Sequence, residues 1–238
     1  MLYSESRNFC FIHIPKAAGT SVVNFLRELL PDLECVGRHH NGIGDISTIR
    51  LENHCPCGLV NPGRTTVPPI SLSDTTFLAV LRHPLDIWVS HYHWGVKKLG
   101  IYRESRIPGI WNLLFRLSGS RKRAYRDVSM FLEEGKNETV ERNNYYKDHL
   151  GRSLFDRLTY DGYFPGKLFL IDYQSLDTSL PAFVQEILHT DTGGRKVGHK
   201  NKVSYEMNPP ACPEHIRKRD SAYFEGIFNQ YKYQPRQS

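Results

Sequence analysis

The sequence has no uninterrupted apolar run approaching the roughly 18 residues that a membrane-crossing helix needs, and its N-terminus lacks the basic, apolar and small-residue succession of a signal peptide. It has no internal repeat and no low-complexity tract, so neither a solenoid nor a disordered linker organises it. Cysteines are few and odd in number: Cys10, Cys35, Cys55, Cys57 and Cys212. Their irregular spacing argues against a disulfide framework. His54 to Cys57 holds too few ligands at the wrong spacing for a zinc site, and reads as a loop with free thiols or one bridge. The Walker A pattern is also missing. The nearest run, Gly162 to Lys167, is one residue short and continues into Leu168.

What is present suits one globular domain covering residues 1–238, long enough to bury a sizeable core. Hydrophobic residues make up 39% and charged residues 24%, as in ordinary soluble proteins. The formal net charge is +6 and the pI about 9.0. Such a balance fits a polyanionic partner: nucleic acid, anionic polysaccharide or a multiply phosphorylated cofactor. Asn137-Glu-Thr139 is a glycosylation sequon, meaningful only in a secreted chain.

Residues 8 to 25 are the stretch around which the chain is organised. Phe9 to Ile14 is a short apolar run of strand type, ended by Pro15. Lys16, Ala17, Ala18 and Gly19 form a small-residue turn with one cation. Thr20 and Ser21 are helix-cap residues, and Val22, Val23, Phe25 and Leu26 begin a helical apolar pattern. A strand, a small-residue turn and a helix start make a phosphate cradle. Backbone N–H groups point at the anion, the helix dipole favours it, and Lys16 and the hydroxyls add charge and donors.

Further along, Leu33 to Val36 reads as a short strand, residues 46–52 as a short helix, and 53–75 as a long surface loop rich in Pro, Gly, Cys and Thr. Thr76 to Leu81 is the strongest strand, almost wholly apolar as a central parallel strand should be. A helix follows over 85–94 with Pro84 in its first turn. Residues 97–126 are basic and mixed; 128–134 and 140–150 read as helices. Lys167 to Ile171 is a third core strand with a helix over 180–188 after it. Residues 193–202 form a basic, glycine-rich loop, and a last helix covers about 213–231. This alternation predicts a three-layer α/β domain with a parallel sheet flanked by helices, in which ligands bind beyond the carboxyl ends of the strands. Arg82 stands at one such end and Ser90 eight residues on, with Asp86 four residues from Ser90 on the same helix face. An arginine and a serine so placed can hold one phosphate from two sides.

Taken together, Ile12-His-Ile-Pro-Lys-Ala-Ala-Gly-Thr-Ser21 and Leu81-Arg-His-Pro-Leu-Asp-Ile-Trp-Val-Ser90 resemble the sulfotransferase family, and within it the carbohydrate (heparan-type) branch. The first is similar to the family's 5′-phosphosulfate loop, P-K-x-G-G-T-S, with Ala18 in place of the first glycine. The second is similar to its 3′-phosphate motif, R-x-P followed by a serine at the same spacing. The likeness is specific over about forty residues and loose elsewhere.

The resemblance implies a P-loop-like sulfotransferase fold that uses 3′-phosphoadenosine 5′-phosphosulfate (PAPS) as donor, without a metal. Lys16, Ala17, Ala18, Gly19, Thr20 and Ser21 would hold the 5′-phosphosulfate, Arg82 and Ser90 the 3′-phosphate, and Arg195 and Lys196 of the basic loop would close over the nucleotide. Lys16 would also neutralise the bridging oxygen as the P–O–S link breaks. A hydroxyl acceptor needs a base, and His40, then His39, are the candidates, with Glu28 and Glu34 behind them. The acceptor would be a glycan or another hydroxylated molecule, with 97–126 as its rim; no nucleic acid is expected. The expected compartment is the cytoplasm as the chain stands, or the Golgi lumen if an N-terminal anchor precedes it. Two other readings stand beside this one: a nucleotide kinase with a degenerate loop, and a non-enzymatic polyanion-binding module with steeply salt-dependent affinity.

Overall fold

The computed structural model describes residues 1–35, 50–51, 58–60, 70–94, 131–132, 150–198 and 211–236. Its strands are β1 (Leu2–Ser4), β2 (Phe9–Ile12), β3 (Glu34–Cys35), β4 (Arg50–Leu51), β5 (Gly58–Val60), β6 (Ile70–Ser71), β7 (Thr76–Leu81) and β8 (Lys167–Asp172). Its helices are α1 (Gly19–Leu29), α2 (Pro84–Trp94), α3 (Leu154–Leu158), α4 (Leu176–Glu186), α5 (Glu214–Arg219) and α6 (Ser221–Phe224). The architecture is α/β: a five-stranded sheet of order β3-β1-β2-β7-β8 with flanking helices, and a small antiparallel sheet β4-β5-β6.

The main sheet is mixed, which corrects the expectation of a parallel one. β2, β7 and β8 run parallel, but β1 is antiparallel to both β2 and β3. The cause is the four-residue connection Glu5 to Asn8. A link so short closes a hairpin, whereas a parallel pair needs a crossover of a dozen residues or more. Asn8 sits at φ 42°, a conformation that asparagine tolerates better than most residues, and its N–H donates to the Glu5 carbonyl at 3.0 Å. The crossover from β2 to β7 includes α1, and the two strands pair from Phe9↔Thr76 to Ile12↔Ala79.

β7 is the centre of the core. Phe77 to Leu81 are all buried, as are Phe9 to Ile12 on one side and Leu168, Leu170 and Ile171 on the other. Each fully buried leucine or phenylalanine contributes about 1.5–3 kcal/mol. From α1 come Val22, Val23, Phe25 and Leu26, and from α4 Leu176, Leu180, Phe183 and Val184.

Other boundaries moved for physical reasons. The helix expected at 180–188 begins at Leu176, because Leu176 and Leu180 extend the buried face ahead of Pro181, which lies inside the helix. Burial of that face outweighs the hydrogen bond that proline removes. The single last helix is broken into α5, α6 and a 3₁₀ turn at Ile227–Tyr231. The first break is at Asp220, whose carboxylate accepts the Leu154 N–H at 2.7 Å. The second is at Gly226, φ 74°. Within the expected helix at 46–52, Arg50–Leu51 is a strand, and the expected loop at 53–75 contains β5 and β6. Residues 131–132 and 150 are helical; the rest of 97–149, with the basic rim, lies outside the described residues.

Candidate functional site

Three adjacent parallel strands end side by side, and the residues beyond their ends meet. β2 runs into the turn of Pro15 to Ala18, β7 into Arg82 and β8 into Tyr173. The ladder's last pair, Leu81↔Asp172, sets Arg82 beside Tyr173 by register alone. The guanidinium lies over the Tyr173 ring, 4.4 Å from its centroid, and Arg82 Nη1 donates to the Lys16 carbonyl at 2.9 Å. Two sequence motifs separated by some sixty residues are therefore tied by one hydrogen bond.

The turn itself is unusual backbone. Lys16 (φ 64°) and Ala18 (φ 59°) are both left-handed and bracket Ala17. Such alternation curls successive N–H groups toward one point, the geometry of an anion nest. α1 starts at Gly19 without a side-chain cap, and among the described residues no group accepts from the N–H groups of Gly19 and Thr20. Those donors are aligned with the positive end of the helix dipole. Ala17 and Ser21 are buried and Thr20 is exposed.

Ala18 pays a torsional penalty of about 1–2 kcal/mol in this region, and glycine does not. Ala18→Gly is therefore expected to raise stability by about 0.5–1 kcal/mol after the larger entropy of the unfolded glycine chain is counted. Urea unfolding at constant m-value checks it.

Electrostatically the site holds two cations, Lys16 and Arg82. Burial holds the Lys16 ammonium down to about 7, and the positive charge of Arg82 adds to the effect. The Arg82 side chain is 13% exposed. Among the described residues its Nε is buried without a hydrogen-bond partner, and Asp86 Oδ2 is 4.0 Å away. Asp86 lies in the first turn of α2, and Ser90, half-buried, is one turn further on the same face. Tyr223 of α6 stands nearby. Its hydroxyl is pushed up by burial, then by the charges of Asp172 and Asp86. His83 is held edge-on by Tyr223 and Phe224, each 5.5 Å away between ring centroids, so the C-terminal helices abut the strand ends.

No protein-family model, curated protein or solved structure matches the chain. The site is therefore characterised by its own geometry.

The structure brings together Lys16 to Ser21 and Arg82, with Ser90 on the adjoining helix face. It does not bring Arg195 to them. Arg195 Nε lies 3.8 Å from Glu28 Oε2, and Arg195 Nη1 donates to the Thr192 carbonyl at 3.3 Å. Glu28 is nine positions beyond Gly19 in α1, about 14 Å along the helix axis. Lys196 is exposed in the same loop. His39, His40, Cys55 and Cys57 lie outside the described residues, as do 199–202 of the basic loop.

Sequence reasoning missed Tyr173 and Tyr223. Tyr173 was within reach of it: the residue after a parallel strand stands at the edge where such sheets bind ligands. His13 is 7% exposed, and its imidazole lies so close over Gly19 that a Cβ there would overlap the ring, 1.6 Å from Nε2.

Proposed function

We propose that this chain is a PAPS-dependent sulfotransferase that transfers a sulfuryl group to a hydroxyl, or amine, of a carbohydrate or glycan-like acceptor, on a three-layer, P-loop-like variant of the α/β architecture. The observation that carries the reading is the hydrogen bond from Arg82 to the Lys16 carbonyl. It ties a left-handed, N–H-rich turn to a mostly enclosed guanidinium, 13% exposed over its side chain, as a doubly anionic nucleotide requires of its two ends.

PAPS supplies an activated sulfuryl group: its sulfur–oxygen bond to phosphate breaks as a bond to the acceptor oxygen forms, and the acceptor proton passes to a base. The chain's residues do the positioning. The Gly19 and Thr20 N–H groups and the Lys16 ammonium face the 5′ end and stabilise charge where it develops. Arg82, with one face on Tyr173 and Nη1 on the Lys16 carbonyl, offers its remaining edge to the 3′-phosphate, and Ser90 adds a hydroxyl. The expected base, His40 or His39, is part of the proposal.

The reading is tested by titrating adenosine 3′,5′-bisphosphate into the full chain by calorimetry. Lys16→Ala and Arg82→Ala are each expected to weaken binding by about 10–100-fold, the range for charge-assisted hydrogen bonds. The pH dependence has a definite sign. A bound polyanion draws Lys16 up from about 7, so above neutrality binding takes up a proton and affinity falls with rising pH, by up to about tenfold per unit. Lys16→Arg stays charged throughout and is expected to flatten the profile between pH 7 and 8.5. Absence of binding, with both alanine variants indistinguishable from wild type, sinks the proposal.

A further inference from the structure

The guanidinium of Arg82 has three sides, and two are spoken for. One face lies on Tyr173 at 4.4 Å, and Nη1 donates to the Lys16 carbonyl at 2.9 Å. On the third, Nε has no hydrogen-bond partner among the described residues. Nε is out of contact with solvent, and Asp86 Oδ2 stands 4.0 Å from it, about 1 Å beyond hydrogen-bonding distance. The Asp86 side chain is itself 47% exposed, and the same carboxylate raises the Tyr223 hydroxyl, so it borders the site. A carboxylate beside an anion-binding arginine ordinarily opposes binding.

The chemistry of the anion decides how strongly. A phosphate monoester has its second pKa near 6, so at neutral pH it can carry a proton. A sulfate carries none. One hydroxyl oxygen that accepts from N–H at ~2.9 Å and donates to a carboxylate at ~2.7 Å spans about 4.6 Å, so the half-exposed Asp86 carboxylate, whose Oδ2 is 4.0 Å from Nε, has to swing out by about half an ångström to admit it. A protonated phosphate can insert such an oxygen and share its proton with Asp86. A sulfate oxygen in that position meets the carboxylate with no proton between them, and must displace it.

We propose that Asp86 is a specificity-determining residue: beside Arg82 it accepts the proton of a phosphate monoester and turns sulfate away. The inference rests on the donor reading above and deepens it. PAPS has phosphate at one end and sulfate at the other, and Asp86 orients it by refusing the sulfated end at Arg82.

The probes are inorganic phosphate and inorganic sulfate, titrated separately into the full chain at pH 7, with the Arg82 Nε–H resonance as a readout local to this edge. In wild type, phosphate is expected to shift the resonance at about tenfold lower concentration than sulfate. In Asp86→Asn the two are expected to come within about twofold, chiefly through tighter sulfate binding, and Asp86→Ser is expected to agree. Thermal melts of both variants establish that they fold. An unchanged preference in the variants overturns the inference. So does an equal loss of both anions, which makes Asp86 only a support for Arg82, and so does a wild-type resonance that neither anion moves. If the preference behaves as expected but adenosine 3′,5′-bisphosphate does not bind, the donor reading fails and the selectivity of Asp86 stands.

Discussion

Gly19→Ala is expected to unfold the start of α1 and to abolish anion binding. The reason is room, not torsion. Gly19 is not in the left-handed region, so alanine has no backbone objection to it. Its Cβ would instead lie 1.6 Å from Nε2 and 1.8 Å from Cδ2 of His13, and His13 has little freedom to leave. It follows β2 directly, is 7% exposed and stacks against Phe11 at 6.1 Å between ring centroids. Overpacking of a core commonly costs about 1–3 kcal/mol, and an overlap this deep against an enclosed ring is expected to exceed 3 kcal/mol. His13→Ala alone is expected to cost about 2 kcal/mol through the cavity it leaves. The decisive measurement is the double variant. With the ring removed, the alanine at 19 has space, so His13→Ala/Gly19→Ala is expected to be more stable than Gly19→Ala by at least 1 kcal/mol, a coupling typical of residues in direct contact. Urea unfolding of the four proteins checks it. A double variant no more stable than Gly19→Ala would mean that the imidazole is not what excludes a side chain there.

Asp220→Ala is the second large loss. The carboxylate is fully enclosed, with a side-chain exposure of 0%. It accepts from the Leu154 N–H at 2.7 Å, from Arg219 Nε at 2.9 Å and from Arg219 Nη2. Arg219 in turn lies over the Trp88 ring of α2, 5.1 Å from its centroid. One buried charge thus joins the first turn of α3, the end of α5 and the face of α2. Removing one member of such a pair leaves the other uncompensated and costs about 3–5 kcal/mol. In a chain of this size that is a fall in Tm of about 6–20 °C. Asp220→Asn keeps an acceptor for Leu154 and is expected to lose less. The consequence reaches the site, because the helices that Asp220 anchors hold Tyr223 and Phe224 against His83. Affinity for adenosine 3′,5′-bisphosphate is expected to fall along with Tm in Asp220→Ala. A variant with wild-type Tm would remove Asp220 from its anchoring role.

Much of the fold was legible because the signals are local. Phe77 to Leu81 and Leu168 to Ile171 are unbroken apolar runs, and no amphipathic alternative competes for them. Pro84 marks the start of α2 because its ring suits the first turn of a helix. β1 was not legible. Three residues at a terminus have no periodicity to read, and their strand exists only because the Glu5 to Asn8 turn lays them against β2. The last helix misled for a related reason. Its composition is helical throughout, but Asp220 turns inward for a partner 66 residues away, which no local pattern records.

The candidate site divides the same way. The kinds of groups at the two turns, cation, small residues, hydroxyls and arginine, are matters of residue chemistry and spacing, and the sequence by itself determined them. It also determined that both turns follow apolar strands, since the proline and the charged residue that end each run are local stops. Only the tertiary structure decided that Lys16 and Arg82 share a hydrogen bond, that Tyr173 lies under the guanidinium, that Asp86 faces its open edge and that Arg195 is held by Glu28. Each of these depends on which strands are neighbours and in what register, and register is set by burial of side chains across the whole sheet, not by the residues at its rim.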